Sequence, residues 1–391
     1  MKILLISPPF YRILGFYNRY FPLGITVLAT LLKEDGHETK VIDADFTSNP
    51  SEIDYAKLPE KYGEYSRILL EDGHPVWKEI ENTVIDFQPD LIGISVFTTF
   101  AGSAFQTAKI CKRVCNSCPV VMGGPHATAK ADEILRISKD VDFVIRGDGE
   151  TPLMQLTAYV EGKLSLLSDI PGVSYRKGSE IHHNSMCEAN AEVDALPIPD
   201  RTLLMNEILY SSEDMGLIMT TRGCPFRCTF CASDINRVTY RSIEDVIKEM
   251  QDVQKRYGTH QFTFKDDSFT VNRKRVLEFC DKLIQSGLKT RWECNTRVGL
   301  IDEGMLKKMK MAGCNFIKIG IESGSERILK EMHKGITLDQ IRQTASLLRR
   351  SAIHWTGYFM MGVPGETEED VRQTLLLMEA IKPDMALISV Y

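Results

Sequence analysis

Thr221–Ser233 reads TRGCPFRCTFCAS, and its cysteines Cys224, Cys228 and Cys231 are spaced C-x3-C-x2-C. An apolar run with strand character, Gly216–Thr220 (GLIMT), leads straight into it. Pro225, just after the first cysteine, disfavours an unbroken helix through the segment. The thiols are therefore expected on a loop at the C-terminal end of a strand, where they can converge on one object. Thiolates are soft ligands that suit iron–sulfur clusters or zinc. Zinc tends to use paired C-x2-C or Cys/His spacings, and no second pair follows here at that distance. A cubane cluster usually takes four cysteines. Three close ones with no evident fourth leave one iron open to a substrate or cofactor.

The chain carries a second trio with the same spacing, Cys111, Cys115 and Cys118. It lies in Ala104–Cys118 (AFQTAKICKRVCNSC), which reads as a helix. Positions i, i+4 and i+7 then share one face. That is how small buried residues recur on a helix packed against a sheet, and free cysteine is often buried. No strand end leads into this trio, so it is expected in the core and the cluster is assigned to the other three.

The 391 residues suffice for two or three domains. Hydrophobic content of 43% and charged content of 26% are ordinary for a soluble globular protein. The net charge of −6 gives no electrostatic case for nucleic-acid binding. Ten cysteines in a chain of this length do not form a disulfide scaffold and suggest a reducing compartment. The opening MKILLISPPF lacks the length and cleavage site of a signal peptide, and no stretch has the composition of a transmembrane helix. A cytoplasmic protein is expected.

In the first half, strands are expected at Lys2–Ser7, Glu38–Asp43, Asp90–Val96, Pro119–Met122 and Val141–Ile145, with helices between them. Asn49–Trp77 reads as a polar, irregular excursion. Such alternation specifies an α/β, doubly wound, Rossmann-like parallel sheet over residues 1–188. Ligands of such sheets sit beyond the C-terminal strand ends. Those ends carry Ser95, Phe97 and Thr98, then Gly123, Gly124 and His126 of GGPHAT, then Gly147 and Glu150 of GDGE. Ala189–Leu204, with two prolines around Ile198, reads as a linker.

From residue 205 onward βα units repeat, with strands expected at Gly216–Thr220, Gln261–Lys265, Arg291–Asn295, Asn315–Ile321, Ile353–Met361 and Met385–Tyr391. Barrel chemistry gathers at C-terminal strand ends. Those ends hold Asp266 and Asp267, Arg297, the stretch Gly320–Ser325 with Glu322 and Ser323, and Gly362–Thr367 with Pro364.

C-x3-C-x2-C with the aromatic Phe230 before its last cysteine resembles the signature of radical S-adenosylmethionine (SAM) enzymes. GIESGS and GVPGET resemble further elements of that family, and the βα repeats its partial (β/α)6 barrel. The first half, with PPF, GGPHAT and GDGE, resembles the cobalamin-binding domain of the cobalamin-dependent class. The resemblance implies a 4Fe–4S cluster on Cys224, Cys228 and Cys231, SAM held near Asp266, Asp267, Glu322 and the Gly362–Thr367 backbone, and cobalamin beside Ser95 and Gly123–Gly124. The D-x-H-x-x-G motif that supplies a histidine to cobalt is absent, and Phe10, Tyr11 and Arg12 occupy the first loop instead. The implied activity is methylation of an unactivated carbon of a small-molecule or peptide substrate. An external donor such as flavodoxin or ferredoxin would supply electrons. The alternatives are a non-methylating enzyme of the same class, such as a ring cyclase or ring-contracting enzyme, and a cobalamin- or cluster-binding sensor without turnover. The resemblance also implies that GGPHAT and the cysteine loop border one cavity, and that more chain follows the sixth strand.

Overall fold

The computed structural model describes residues 1–16, 21–47, 54–164, 166–186, 193–231 and 237–391. Asn49–Ile53, the start of the linker through Glu192, and Ala232–Ser233 lie outside the described residues. The chain divides into two compact units, Met1–Asn190 with Ala195–Tyr210, and Ala191–Asp194 with Ser211–Tyr391.

The first unit is built on β1 (Lys2–Ser7), β2 (Glu38–Asp43), β3 (Leu91–Ser95), β4 (Val120–Gly123) and β5 (Phe143–Ile145). These are parallel and ordered β2-β1-β3-β4-β5. The order reverses direction at β1/β3, the switch point where such sheets open a ligand crevice. The four central residues of KILLIS are apolar and buried, as a central strand covered on both faces requires. The helices are α1 (Leu23–Glu34), α2 (Leu58–Ile68), α3 (Pro75–Phe87), α4 (Ala101–Val114), α5 (Pro125–Ile137) and α6 (Glu150–Val160).

Three features differ from the sequence reading. The described part of the polar stretch before Trp77 is ordered as α2 and the start of α3. Within α2 only Tyr65 and Ile68 are buried, so its composition carries little amphipathic signal. Helix α4 ends at Val114, with Cys115 as its C-cap and Cys118 beyond it, so the first cysteine trio does not share one helix face. An antiparallel hairpin, β6 (Val173–Lys177) and β7 (Glu180–His183), extends the sheet past β5.

Residues 195–210 pack on the first unit, which moves the boundary from Leu204 to Tyr210. The Met205 amide donates to the Val41 carbonyl at 2.8 Å, and Asn206 Nδ2 to the Asp43 carbonyl at 3.0 Å. Tyr210 stacks on Phe46 at 3.8 Å and donates its hydroxyl to the Asp43 carboxylate. Burial pushes Asp43 up to about 6, with the Tyr210 hydrogen bond opposing.

The second unit holds β8 (Leu217–Ile218), a ribbon of β9 (Thr221–Arg222) and β10 (Thr239–Tyr240), then β11 (Gln261–Phe264), β12 (Arg291–Arg297), β13 (Cys314–Glu322), β14 (His354–Met361) and β15 (Met385–Val390). All but the ribbon form one parallel sheet in chain order, β8-β11-β12-β13-β14-β15, whose first and last strands do not pair: an open barrel. Its helices are α7 (Ile243–Tyr257), α8 (Arg273–Gln285), α9 (Glu303–Met311), α10 (Glu326–Glu331), α11 (Leu338–Ser351) and α12 (Glu368–Ile381). Strand alternation sorts the two faces. Phe264 and Trp292 pack their rings on Phe279 of α8 at 5.4 and 5.8 Å. Thr263, Lys265, Glu293, Asn295 and Lys318, half-buried, alternate with those core positions and line the other face. Among the described residues, no helix is long and apolar enough to cross a membrane.

Candidate functional site

In the first unit, β1, β3, β4 and β5 end on the same sheet edge, and their loops are tied together. Gly124 caps α5 with φ of 104°, a left-handed conformation that favours glycine. A side chain there would stand 3.0 Å from the Val96 carbonyl oxygen, so this turn closes only on glycine. The Val96 amide donates to the Gly123 carbonyl at 2.8 Å, and the His126 amide to the Val96 carbonyl at 3.1 Å. Thr98 Oγ1 and His126 Nδ1 are 3.2 Å apart. Thr128 Oγ1 accepts from the Gly147 amide at 2.9 Å, joining the β4 and β5 loops. Ser95 is half-buried at the end of β3, and Phe97 is exposed just beyond it. Glu150, in the first turn of α6, is buried. The structure thus gathers Ser95, Thr98, Gly123, Gly124, His126 and Gly147 on linked loops at one edge. In the first loop, Asp45 Oδ1 accepts from the Phe10 and Arg12 amides at 2.5 and 3.0 Å, and Arg12 pairs with Glu79 at 2.6 Å.

In the second unit the cysteine loop leaves β9 and returns through β10. Its root is held by Asp266, fully buried, which accepts from the Thr220 and Thr221 amides at 2.6 and 3.0 Å and from the Thr220 hydroxyl. The Asp266 carboxylate, expected to meet SAM, is therefore committed to this frame, and Asp267 is the exposed carboxylate of the strand end. Farther along, the Thr229 amide donates to the Met332 carbonyl and the Cys231 amide to the Cys228 carbonyl, at 3.0 and 3.1 Å. Phe230 packs on Ile328, Met332 and Val363. Burial pushes the Cys224 thiol up, a backbone hydrogen bond from Phe226 opposes that, and the charges of Asp267, Cys231 and Cys228 add to it. The three cysteines share this one loop, Cys224 and Cys228 half-buried and Cys231 exposed. Arg297 stacks its guanidinium on Phe226 at 4.0 Å and places Nη1 3.4 Å from Cys228 Sγ. Among the described residues no group of three His, Cys, Asp or Glu side chains is gathered around a single-ion position.

At the end of β13, Glu322 is a buried non-glycine residue with φ of 72°, a conformation costing ~1–3 kcal/mol. Its carboxylate meets Lys334 Nζ at 2.6 Å, with both side chains under 10% exposed. A β-carbon on Gly320 would lie 2.4 Å from Glu322 Oε1 and 2.8 Å from Lys334 Nζ, so the glycine of this motif makes room for the ion pair. Lys334 also lies 5.6 Å from the Phe230 ring centre. Ser323 is fully buried, with its hydroxyl 3.2 Å from that of Thr374 and accepting from the Ser325 amide at 3.1 Å; it anchors α12 rather than facing the strand ends. The Gly362 amide donates to Glu366 Oε2 at 2.6 Å, which closes the turn containing Pro364. Lys334 was not anticipated. Its signal is His333-Lys334-Gly335, two left-handed residues at 48° and 61° around one lysine, which turn it back towards β13.

Comparison with known proteins follows the same division. A model of the radical SAM superfamily matches residues 218–378, and a B12 binding domain model matches residues 13–157. An uncharacterized methyltransferase of Pyrococcus horikoshii is 33% identical over 99% of this chain and 79% of its own. An anaerobic magnesium-protoporphyrin IX monomethyl ester cyclase of Cereibacter sphaeroides is 28% identical over 84% of this chain, which spans 56% of that enzyme. Among solved structures, the radical SAM methyltransferase TsrM of Kitasatospora setae, with cobalamin and a [4Fe-4S] cluster bound, shares the fold. Its TM-score is 0.78 at 19% identity, over the whole of this chain and 74% of that one.

Proposed function

This chain belongs to the radical SAM enzymes that carry a cobalamin-binding domain, and we propose that it methylates an unactivated carbon of a small-molecule or peptide substrate. The observation that carries the reading is the cysteine loop at the strand ends, with all three thiols outside the core and Arg297 against Cys228. When bound, the cluster and SAM supply a carbon-centred radical and cobalamin supplies the methyl group, while the protein orients them and excludes water.

The residues divide that work. Cys224, Cys228 and Cys231 hold the cluster, and Arg297 balances their charge. Asp267, Glu322 with its partner Lys334, and the backbone of Gly362–Pro364 are the groups that would hold SAM, with Phe230 on the loop side. Asp266 and Ser323 act one step back, as anchors. In the first unit Ser95, Gly123 and Gly124 admit the cobalamin tail, and Phe97, Thr98, His126, Gly147 and Glu150 complete the rim. Phe10, Tyr11 and Arg12, pinned by Asp45 and Glu79, occupy the loop where a cobalt-ligating histidine would stand. A cytoplasmic setting and a flavodoxin- or ferredoxin-type reductant belong to the same reading.

The test is anaerobic incubation of the reduced protein with cobalamin, methyl-deuterated SAM and cell extract, followed by mass spectrometry. A product carrying the deuterated methyl group is expected. SAM cleavage with a product that gains no methyl would favour the cyclase-type reading, to which the 28% identical cyclase relative lends weight. Absence of SAM cleavage would sink both.

A further inference from the structure

Among the described residues of the second unit three cations are buried: Arg241, Arg297 and Lys334. Burying a charge is costly unless an opposite charge comes with it. Arg241 meets Glu249 at 2.6 Å, and Lys334 meets Glu322 at 2.6 Å, with all four side chains under 10% exposed. Arg297 is as deeply placed, 8% exposed at the C-terminal end of β12. Its partners among the described residues are of another kind. They are the Phe226 ring, with its centre 4.0 Å from the guanidinium carbon, and Cys228 Sγ, 3.4 Å from Nη1. Neither is a carboxylate. One of three buried cations is thus left to a sulfur and a ring, and both belong to the cysteine loop.

A guanidinium does not shed its proton inside a protein, so burial cannot neutralise it as it can a lysine. Its charge has to be met from outside its own side chain. A cluster held by thiolates carries net negative charge, and reduction adds to it. The arrangement around Arg297 fits such a group. The Phe226 ring takes the flat face of the guanidinium, and the N–H edge is turned to a sulfur that ligates the cluster. Net charge, hydrogen bonds to the sulfurs and solvent exposure set the potential of an iron–sulfur cluster. Arg297 bears on the first two at once. At 8% exposure its charge is little screened by salt.

We propose that Arg297 is the counter-charge of the reduced cluster and raises its reduction potential, so that this one residue governs how readily an electron enters the protein. The proposal rests on the radical SAM reading and deepens it. The step is simple in its balance. A flavodoxin- or ferredoxin-type donor loses one electron and the cluster gains it. No bond forms or breaks at Arg297, and the guanidinium keeps its protons. Arg297 acts through Cys228 and is therefore a positioning residue, placing charge rather than reacting.

The test is an anaerobic redox titration of the full chain with its cluster reconstituted and without SAM, read by electron paramagnetic resonance of the reduced cluster. At the parent's midpoint, Arg297→Gln should lower the ratio of reduced to oxidised cluster at least tenfold, a downward shift of about 59 mV for one electron. Arg297→Lys keeps the charge and should recover most of that shift. Phe226→Leu removes the ring and leaves the cation, and its ratio should stay within about twofold of the parent's. An unchanged ratio in Arg297→Gln overturns the proposal. So does an equal fall in Arg297→Lys, or one as large in Phe226→Leu, since loop packing would then explain it. A shift that appears only after SAM is added overturns it too, because the cation would then serve the SAM carboxylate. Should Arg297→Gln take up no cluster, uptake by Arg297→Lys shows the same need for charge at assembly and supports the proposal, and failure of both overturns it. The readout needs no turnover. A chain whose cluster titrates as expected but transfers no methyl group would sink the methyltransferase reading alone.

Discussion

Cys111, Cys115 and Cys118 share their spacing with Cys224, Cys228 and Cys231, and nothing else. The first trio sits at the end of α4, with Cys111 and Cys118 buried among the aliphatic side chains of the first unit's core. Burial pushes the Cys111 thiol up to about 12. The second trio lies on a loop between two short strands, half-buried or exposed, with Arg297, Lys334 and Asp267 around it. A thiol becomes a ligand only as a thiolate. Spacing is common to both trios, and burial separates them: only the second keeps its sulfurs outside the core.

The comparison breaks most visibly if both trios are removed in turn. Changing Cys224, Cys228 and Cys231 to Ala should abolish bound iron, the visible absorbance of the cluster and all SAM cleavage. Iron retained in that variant, or lost when the first trio is changed instead, would reverse the assignment. Next in size is Lys334→Met, which strands Glu322 as a buried lone carboxylate at a cost of ~3–5 kcal/mol. Denaturant titration should show most of that loss recovered in the double variant with Glu322→Gln. If the single variant is as stable as the parent, the charged support of the second trio has been overstated. Changing Cys111, Cys115 and Cys118 to Ala should lower stability by about 1–3 kcal/mol through lost packing while iron content stays unchanged. The mildest test is alkylation of the cluster-free native protein near neutral pH. Cys231, exposed, should react readily, and Cys111 only after unfolding. Early modification of Cys111 would show that α4 opens locally.

Much of this molecule was legible because its signals are local. The strands of both sheets announce themselves as short apolar runs, KILLIS most clearly, and the proline after Cys224 marks the loop. What stayed hidden depends on directions that a sequence does not carry. Asp266 and Asp267 are adjacent, yet one is buried in the frame and the other exposed, and only the turn of the chain past β11 separates them. Ser323 follows Glu322 and turns to α12 instead. Lys334 meets Glu322 across α10, twelve residues along the chain. Arg297 reaches Cys228 from the end of β12, across 69 residues of chain. Helix α2 was missed because it buries so little of itself, and the β6–β7 hairpin because nothing in its composition set it apart from the polar segments around it.

Asp266 has a consequence for the order in which the protein is made. The ladder between β8 and β11 pairs only two residues on each strand, and the carboxylate adds bonds to Thr220 and Thr221 where that ladder stops. None of these bonds involves a cysteine or waits for iron. The foot of the loop is therefore set during folding, and maturation is left with closing the cysteine loop around an incoming cluster rather than assembling a barrel edge, on the order of the cost of one short loop closure. Amide exchange of Thr220 and Thr221 in protein freshly made without iron would be as slow as in the mature enzyme, so the apo chain is a finished receptacle for the cell's cluster-delivery machinery.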